Sequence, residues 1–291
     1  MEEKCPYCGS CHVKRNGRSG NGKQRRLCLA CGRSFVKETH TVFASRKLGE
    51  EKFRMLIALI IRDATVETIS ECLGVLSKTA YVWRMKLYGC FAGYQKSLVL
   101  KGKVWIDETM FPVSGGKICF GEGGRKLRGA SRNQTVVCAG IDRGWHRIAF
   151  VAGRGHISSA RCLEVYGPHV ERGSELVHDG TFSHDRLVKE KGLKGTTCKS
   201  TVKSFRPLMK PIDDFCAMIK RNKVIHMGGM DDYLQNYLDW ITFKPCLRSL
   251  KMDEKIRKVE AYCFHSRVVF RVKDRYCGIM QQHFGKIIEY F

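Results

Sequence analysis

Apolar residues recur with a helical period in two parts of the chain. The first set is Phe53, Leu56, Ile57, Ile60 and Ile61, and the second is Tyr233, Leu234, Tyr237, Leu238 and Ile241. Spacings of three and four place each set on one face of a helix, so both patterns predict amphipathic helices packed on a core.

Between these helices the apolar residues form short β-rich runs. The run 104–111 reads Val-Trp-Ile-Asp-Glu-Thr-Met-Phe, and the runs 135–141 and 147–152 are joined by Asp-Arg-Gly. The short connection predicts an antiparallel hairpin. A helix is predicted over 156–170 and a strand over 175–180, so the order β, β, β, α, β followed by helices indicates a mixed α/β domain.

The charge balance indicates the class of binding partner. Of 291 residues, 52 are Lys or Arg and 28 are Asp or Glu, which gives a net charge of +24. Such an excess indicates a polyanion, with nucleic acid favoured over an anionic membrane. The longest purely apolar run, 55–61, is far shorter than the roughly 20 residues of a membrane-spanning helix. The first residues lack a signal-peptide pattern, which predicts a cytoplasmic protein.

Five of the 15 cysteines lie in the first 48 residues. Cys5 and Cys8 form one C-x2-C pair, and Cys28 and Cys31 form another, a spacing typical of a four-thiolate zinc site. A glycine follows each pair and allows a tight turn. Cys11 could replace Cys8 but fits the spacing less well.

A basic arm separates the two cysteine pairs. Residues 1–50 hold 11 Lys and Arg against 4 acids, in a segment too short for a sizeable apolar core. We therefore predict a zinc ribbon over 1–48 in which structural Zn²⁺ substitutes for that core. The predicted phosphate contacts of the arm are Arg15, Arg18, Lys23, Arg25 and Arg26.

The segment 49–97 resembles a helix-turn-helix. A Leu-Gly-Val turn at 73–75 precedes a predicted recognition helix over 77–88. An ordinary helical hairpin with Trp83 in its core is the alternative. The predicted DNA contacts of the recognition helix are Ser77, Lys78, Thr79, Tyr81 and Arg84.

Three positions carry acids that a metal-dependent reaction could use. Asp107 lies inside an apolar strand, Asp179 ends another, and Asp213 and Asp214 follow Pro211 at a predicted helix start. Converging carboxylates repel each other unless a cation lies between them, and oxygen ligands suit Mg²⁺ or Mn²⁺. Two such ions would support an in-line phosphoryl displacement.

Six motifs occur in the order found in one protein family. They are Gly-Arg-Ser-Phe at 32–35 after the cysteine pairs, the 73–84 helix-turn-helix, Trp-Ile-Asp-Glu-Thr at 105–109, the segment 171–180, Ile-Asp-x-Phe at 212–215, and Tyr-Leu-x-x-Tyr-Leu-Asp at 233–239. This set resembles the bacterial insertion-sequence transposases of the ISXO-like group. The resemblance covers the chain to about Phe243 and implies an RNase H-like mixed sheet flanked by helices, following the ribbon and the helix-turn-helix.

The resemblance also implies a catalytic site. Asp107 and Asp179 match the first two metal ligands of the family's DDE-type triad, and Asp213 occupies the place of the third, which is usually Glu. Asp214 is an alternative third ligand. Lys210 stands where the family has Asn shortly before the third acid.

Other interpretations of these residues remain open. Asp179 could form a turn with Gly180, and the acids at 213 and 214 could serve as the charges of a helix start. Glu108 should point to the strand face opposite Asp107. His178, His184 and His226 are predicted to be polar structural residues.

We therefore expect a DNA transposase with a catalytic domain over 98–291 that ends in a helical extension. As a polynucleotidyl transferase it would use two Mg²⁺ or Mn²⁺ ions to cleave element ends and join them to target DNA. It would act as a homodimer or larger oligomer bound to the nucleoid. The alternative is an inactive or domesticated zinc-ribbon and helix-turn-helix regulator.

Overall fold

The structure, a computed structural model, describes residues 4–44, 48–113, 118–198, 206–225 and 230–266. Two compact units are formed by Met1–Cys90 with Leu250–Phe291, and by Phe91–Ser249. Among the described residues no helix combines the length and the apolar character needed to cross a lipid bilayer. The division into three domains at residues 48 and 97 stays a prediction.

The first unit begins with a three-stranded antiparallel sheet. Its strands are β1 (Val13–Arg18), β2 (Gln24–Cys28) and β3 (Ser34–Phe35), in that order across the sheet. The buried centre of this sheet consists of Cys5, Cys28 and Phe35. So small an apolar centre supports the expectation that a metal contributes to the stability of this segment.

Three helices follow, α1 (Glu50–Ile61), α2 (Val66–Leu73) and α3 (Ser77–Gly89). All five apolar residues of the first predicted helical face are buried in α1, which confirms that prediction. Gly74 ends α2 with φ of 61°, a left-handed conformation that glycine adopts without steric cost. The sharp turn separates α2 from α3 by three residues.

The last described helix belongs to the same unit. This helix, Met252–His265, packs on α1, where Arg54 forms ion pairs with Asp253 at 3.0 Å and with Glu260 at 2.8 Å. Phe43 stacks on Phe264 with ring centroids 4.1 Å apart. The C-terminal helix thus contributes to the core of the first unit.

The second unit is built on a five-stranded mixed sheet. In chain order the strands are β4 (Lys103–Pro112), β5 (Gln134–Asp142), β6 (Arg147–Arg154), β7 (Glu175–His178) and β8 (Lys194–Thr197). Across the sheet the order is β6-β5-β4-β7-β8. β4, β5 and β6 are antiparallel neighbours, whereas β7 and β8 run parallel to β4. β4 is therefore the central strand, and the prediction of an RNase H-like mixed sheet is confirmed.

In the described part of the second unit, five α-helices accompany the sheet. They are α4 (Ala92–Lys96), α5 (Ser159–Tyr166), α6 (Asp185–Lys191), α7 (Arg206–Ile225) and α8 (Met230–Phe243), which makes the C-terminal helix of the first unit α9. The predicted apolar face over 233–241 is buried in α8, as expected. The helix predicted over 156–170 is shorter, because a turn of 3₁₀-helix containing Pro168 replaces its last part.

Side chains on the two faces of β4 pack on opposite sides of the sheet. Val104 and Ile106 join the buried cluster that includes Cys162 and Tyr166 of α5. Trp105 points the other way and donates its indole N–H to the Leu208 carbonyl of α7 at 2.7 Å. Side chains alternate along a strand, so Asp107 shares the Trp105 face and Glu108 shares the α5 face.

Candidate zinc cluster and acidic site

Four cysteine sulfurs converge at one end of the three-stranded sheet. Their Sγ atoms lie within 4.8 Å of one another, with Cys5 to Cys31 at 3.7 Å and Cys8 to Cys28 at 3.6 Å. A tetrahedral zinc ion with Zn–S bonds near 2.3 Å places its sulfurs about 3.8 Å apart. The donor set and its spacing fit Zn²⁺, and Cys11 is exposed outside the group.

Backbone turns hold the cysteines in this arrangement. The amides of Gly9 and Gly32 donate to the carbonyls of Cys5 and Cys28, each at 2.9 Å, and both glycines have positive φ, at 77° and 68°. A residue with a Cβ would be strained in this conformation. The glycines after each pair therefore serve the role that the sequence predicts.

The thiols also carry an electrostatic signature. Although burial opposes the shift, the amides of Cys31 and Ala30 and the neighbouring thiols lower the pKa of Cys28 to about 6. The Ser10 amide favours the Cys8 thiolate, but desolvation and the other thiols raise the pKa of Cys8 to about 12. The cluster thus favours the Cys28 thiolate and disfavours the Cys8 thiolate. A bound divalent cation would stabilise both.

Strand register places two of the predicted acids side by side. In the parallel pairing of β4 with β7, Trp105 is the partner of Val177. Two residues further along each strand lie Asp107 and Asp179. Because the side-chain period of a strand is two, both acids continue the same face beyond the last paired residues.

The electrostatics of Asp107 confirm that acids surround it. Burial, followed by the charge of Glu108, raises the pKa of Asp107 to about 7, although the Glu108 amide donates to Oδ1 at 2.8 Å. The charges of Asp179 and Asp213 raise it further. Burial, followed by the Asp107 charge, raises the pKa of the Cys216 thiol on α7 to about 12. Asp107 therefore lies between the end of β7 and helix α7.

Asp179 is organised by the turn that follows it. The Thr181 amide donates to Oδ1 at 2.9 Å and the Thr181 hydroxyl to Oδ2 at 2.6 Å, while Gly180 has φ of 84°. Burial opposes the shift, yet these bonds and the adjacent histidines lower the pKa of Asp179. Asp179 thus forms a turn with Gly180, as the alternative interpretation predicts. The same hydrogen bonds keep the Asp179 carboxylate ionised beside Asp107.

The third position differs from the prediction in its helix. α7 begins at Arg206, so Pro211 lies inside it and the two acids lie beyond its first turn. The helix-start explanation of these acids is therefore wrong. Asp213 and Asp214 are both exposed, and Lys210 pairs with Asp214 at 3.1 Å. The charge of Asp213 raises the pKa of Asp107, and burial followed by the charge of Asp214 raises the pKa of Asp213 itself.

A buried polar network lies behind the acids. Glu108 points to the α5 face as predicted, where its Oε1 accepts from the Tyr166 hydroxyl at 3.0 Å and meets Nε2 of His184 at 3.1 Å. Nδ1 of His184 lies 3.2 Å from Nδ1 of His178 and 3.6 Å from Oδ1 of Asp179. The sequence spacing does not predict this network, because its members come from β4, α5, β7 and the turn after β7. His226 lies outside the described residues.

The carboxylates are hard oxygen donors and suit Mg²⁺ or Mn²⁺. Their arrangement is open: among the described residues, Asp107, Asp179 and Asp213 do not all approach within 4.8 Å of one another. The group of three around Asp179 that meets this distance contains His178 and His184 instead. Cation binding at all three acids thus requires closer approach of the carboxylates or bridging by water.

The basic arm of the ribbon exposes most of its predicted contacts. Arg15, Arg18 and Arg25 are exposed, and Lys23 and Arg26 are partly exposed, with Lys23 paired to Glu38 at 2.7 Å. Arg15 lies directly opposite Arg26 across β1 and β2. Like charges in that position destabilise a sheet, which an anionic partner would relieve.

The predicted recognition helix is α3, and four of its five candidate contacts are accessible. Ser77 and Lys78 are exposed, and Thr79 and Tyr81 are partly exposed. Arg84 is 1% exposed and donates to the Ala64 carbonyl, so it has no access to a phosphate. The prediction that Arg84 contacts DNA is therefore wrong. Trp83 is buried 5.9 Å from Phe53, which places this tryptophan in the core.

Comparisons with known proteins give little information about the function of this site. No family model and no curated protein matches the chain. Among solved structures, a pre-cleavage Mos1 transpososome is 13% identical over 78% of this chain and 81% of that chain, with a TM-score of 0.30. The Mos1 mariner paired end complexes with Mn and with Mg are 16% and 14% identical, cover 77% and 78% of this chain and 80% and 81% of theirs, and score 0.30 and 0.32. Scores at this level support no conclusion about what the chain does.

Proposed function

We propose that the chain is a DNA transposase of the DDE type, a polynucleotidyl transferase that cleaves and joins DNA strands. The observation that carries this proposal is the position of Asp107 on the central strand, where the charges of two other acids act on it. The strand register puts Asp107 of β4 next to Asp179 at the end of β7, and the charge of Asp213 on α7 raises the pKa of Asp107. The net charge of +24 supports DNA as the partner, because Lys and Arg bind its phosphates.

Asp107, Asp179 and Asp213 would hold the catalytic cations. When bound, two Mg²⁺ or Mn²⁺ ions supply the activation of the attacking oxygen and the stabilisation of the leaving one. The chain's own part is orientation. Thr181 fixes both oxygens of Asp179, and the Glu108 amide fixes Oδ1 of Asp107. Of the two candidates for the third ligand we favour Asp213, because Asp214 is paired with Lys210.

The first unit would supply DNA binding. The ribbon with its Zn²⁺ and the helix α3 present exposed cations and hydroxyls that suit phosphate and base-edge contacts at element ends. Two ends must be held together for joining, so we propose a homodimer or a larger assembly on DNA.

The test is strand cleavage of duplex DNA carrying the element's terminal repeats, with Mg²⁺ and with EDTA. Asp107→Asn should abolish cleavage and leave DNA binding intact, because the amide removes a charged ligand with little change of shape. The matched control is Asp185→Asn, an exposed acid of α6 in the same unit, which should cleave like the wild type. Full activity of Asp107→Asn would overturn the proposal.

A second function is favoured by the open arrangement of the acids. Because the three carboxylates do not all meet and Asp213 is exposed, the chain could bind DNA as a regulator without cutting it. In that case the wild type would bind terminal-repeat DNA equally in Mg²⁺ and EDTA and produce no nicked strand. Mg²⁺-dependent nicking that Asp107→Asn removes would exclude it.

A further inference from the structure

A strained tryptophan stands at the tip of the hairpin between β5 and β6. Trp145 has φ of 65°, in the left-handed region where bulky residues are genuine outliers. It follows Gly144, and a glycine or asparagine would adopt the Trp145 conformation with far less strain. A side chain retained against backbone strain points to a function of that side chain.

The ring is also unusually accessible. All four tryptophans lie in the described part of the chain, and three of them are 9% exposed or less, whereas Trp145 is 65% exposed. Exposing a large aromatic ring forgoes the free energy that its burial would give. Neither strain nor exposure is explained by the packing of the hairpin.

The turn that carries Trp145 is tied down by Asp142. This buried carboxylate accepts from the amides of His146 at 3.0 Å and Lys101 at 3.3 Å. The Trp145 amide donates to the Asp142 carbonyl at 3.0 Å, and the Arg143 amide donates to the Lys103 carbonyl at 3.0 Å. The backbone is thus held in one conformation, which presents the ring outward.

Positive charge lies near the ring. The Arg147 guanidinium lies 6.0 Å from the centre of the Trp145 ring and 5.5 Å from that of Phe215. Arg143 and Arg248 are exposed, and burial followed by the Arg248 charge lowers the pKa of Arg147. The acid of the turn, Asp142, is buried and already hydrogen-bonded. An apolar protein surface would gain little from these charges, whereas nucleic acid offers both a π-face and a phosphate.

We infer that Trp145 is a stacking site for an unpaired base of single-stranded DNA, with Arg143 contacting the adjoining phosphate. Every base has a face that can stack, so the site would hold a strand without reading its sequence. The inference rests on the proposed DNA partner, yet it concerns a surface that none of the acids forms. It gives the second unit a contact of its own with DNA strands freed from the duplex.

The test compares two oligonucleotides of about 12 nucleotides, within the range that one binding groove covers. One is oligothymidylate, and the other is an abasic strand with the same number of phosphates. Oligothymidylate should quench the tryptophan emission of the wild type and protect it from iodide, because only Trp145 is accessible to either. The abasic strand should do neither, and equal quenching by both strands would overturn the inference.

Variants separate stacking from structure. Trp145→Gly relieves the left-handed strain, so it should raise the melting temperature while weakening oligothymidylate binding by about fivefold to 150-fold, the effect of losing one stacked base. Trp145→Tyr should retain most of the affinity. Lower stability of Trp145→Gly with unchanged affinity would show a structural role only and contradict the inference.

A control addresses exposed rings in general. Phe120 is 62% exposed in the same unit, and Phe120→Ala should bind oligothymidylate like the wild type. Equal weakening by this variant would also overturn the inference. The assay needs no Mg²⁺, so its failure would leave the cleavage test of the proposed function standing. A wild type that binds no DNA of any kind would instead contradict the proposed function itself.

Discussion

The cysteine cluster and the acidic site pose the same physical problem with different outcomes. Both collect groups that repel one another when ionised, and both would be stabilised by a divalent cation. The four sulfurs already lie at the separations that a tetrahedral ion requires. The charges of Asp179 and Asp213 raise the pKa of Asp107, although the three acids do not all lie within 4.8 Å of one another.

The difference follows from how each site is assembled. The cysteines come in two local turns, each closed by its own backbone hydrogen bonds, on one small sheet. The acids come from β4, from the end of β7 and from α7, so their separations depend on how three elements pack. A site built from local turns is set by the chain itself, whereas one built across elements is completed by packing or by a ligand.

The largest effect should come from breaking the sulfur cluster. Cys28→Ser removes a buried ligand, and structural zinc contributes about 10–16 kcal/mol of apparent binding free energy to small domains. We expect the purified variant to lose its zinc, by metal analysis, and the ribbon to unfold, by loss of dispersed NMR signals. Cys11→Ser is the matched control and should keep one zinc per chain. Normal zinc content in Cys28→Ser would refute the four-thiolate assignment.

The acidic site should respond selectively at its third position. Asp213→Asn should lower Mg²⁺-dependent cleavage by about 100-fold or more, since losing a ligand costs more than an outer-shell change. Asp214→Asn should lower cleavage less than about fivefold, the scale of an exposed ion pair. Initial cleavage rates measured across Mg²⁺ concentrations would separate the two. The reverse order of effects would assign the third ligand to Asp214.

The elements that the sequence predicts well are those with a strong local signal. The apolar face of α1, the ribbon cysteines and the strand carrying Asp107 all depend on spacing within one segment. The sequence identifies Asp107 as a candidate because an ionisable residue inside an apolar run needs a special environment. These features therefore required no knowledge of the rest of the fold.

The errors have non-local causes. Pro211 reads as a helix start, yet α7 begins five residues earlier, because packing of the helix on β4 offsets the cost of a proline inside it. Arg84 reads as a DNA contact, yet it satisfies the Ala64 carbonyl inside the core. The sequence predicts a polar structural role for His184, which is not an error, but only the fold brings it to Glu108 and Asp179.

A smaller effect, on stability, is expected from a buried acid that lies outside the acidic site. Asp239 of α8 accepts hydrogen bonds from Gln95 and Gln235, and burial raises its pKa to about 7. Its unfolded pKa is near 3.9, so the folded state binds the proton more tightly, and its contribution to stability is lost as pH rises from about 4 through about 7.

Asp239→Asn should therefore melt at a higher temperature than the wild type at pH 8, with a difference that shrinks towards pH 4. Differential scanning calorimetry of both proteins across this range measures the effect. Acids shared by both proteins, Asp107 included, cancel in the difference. A difference that stays constant with pH would contradict the assignment of the raised pKa to Asp239.

The smallest effect concerns a single exposed lysine of α3. Lys78→Ala should weaken binding to terminal-repeat DNA only a few-fold and reduce the salt-dependence slope by about one, because one phosphate contact is lost. Arg84→Lys is the informative contrast, since it keeps the charge but weakens the bond to the Ala64 carbonyl. It should lower the melting temperature and leave the salt slope unchanged. Titrations at several salt concentrations decide between the two, and a reduced slope in Arg84→Lys would return that residue to the DNA interface.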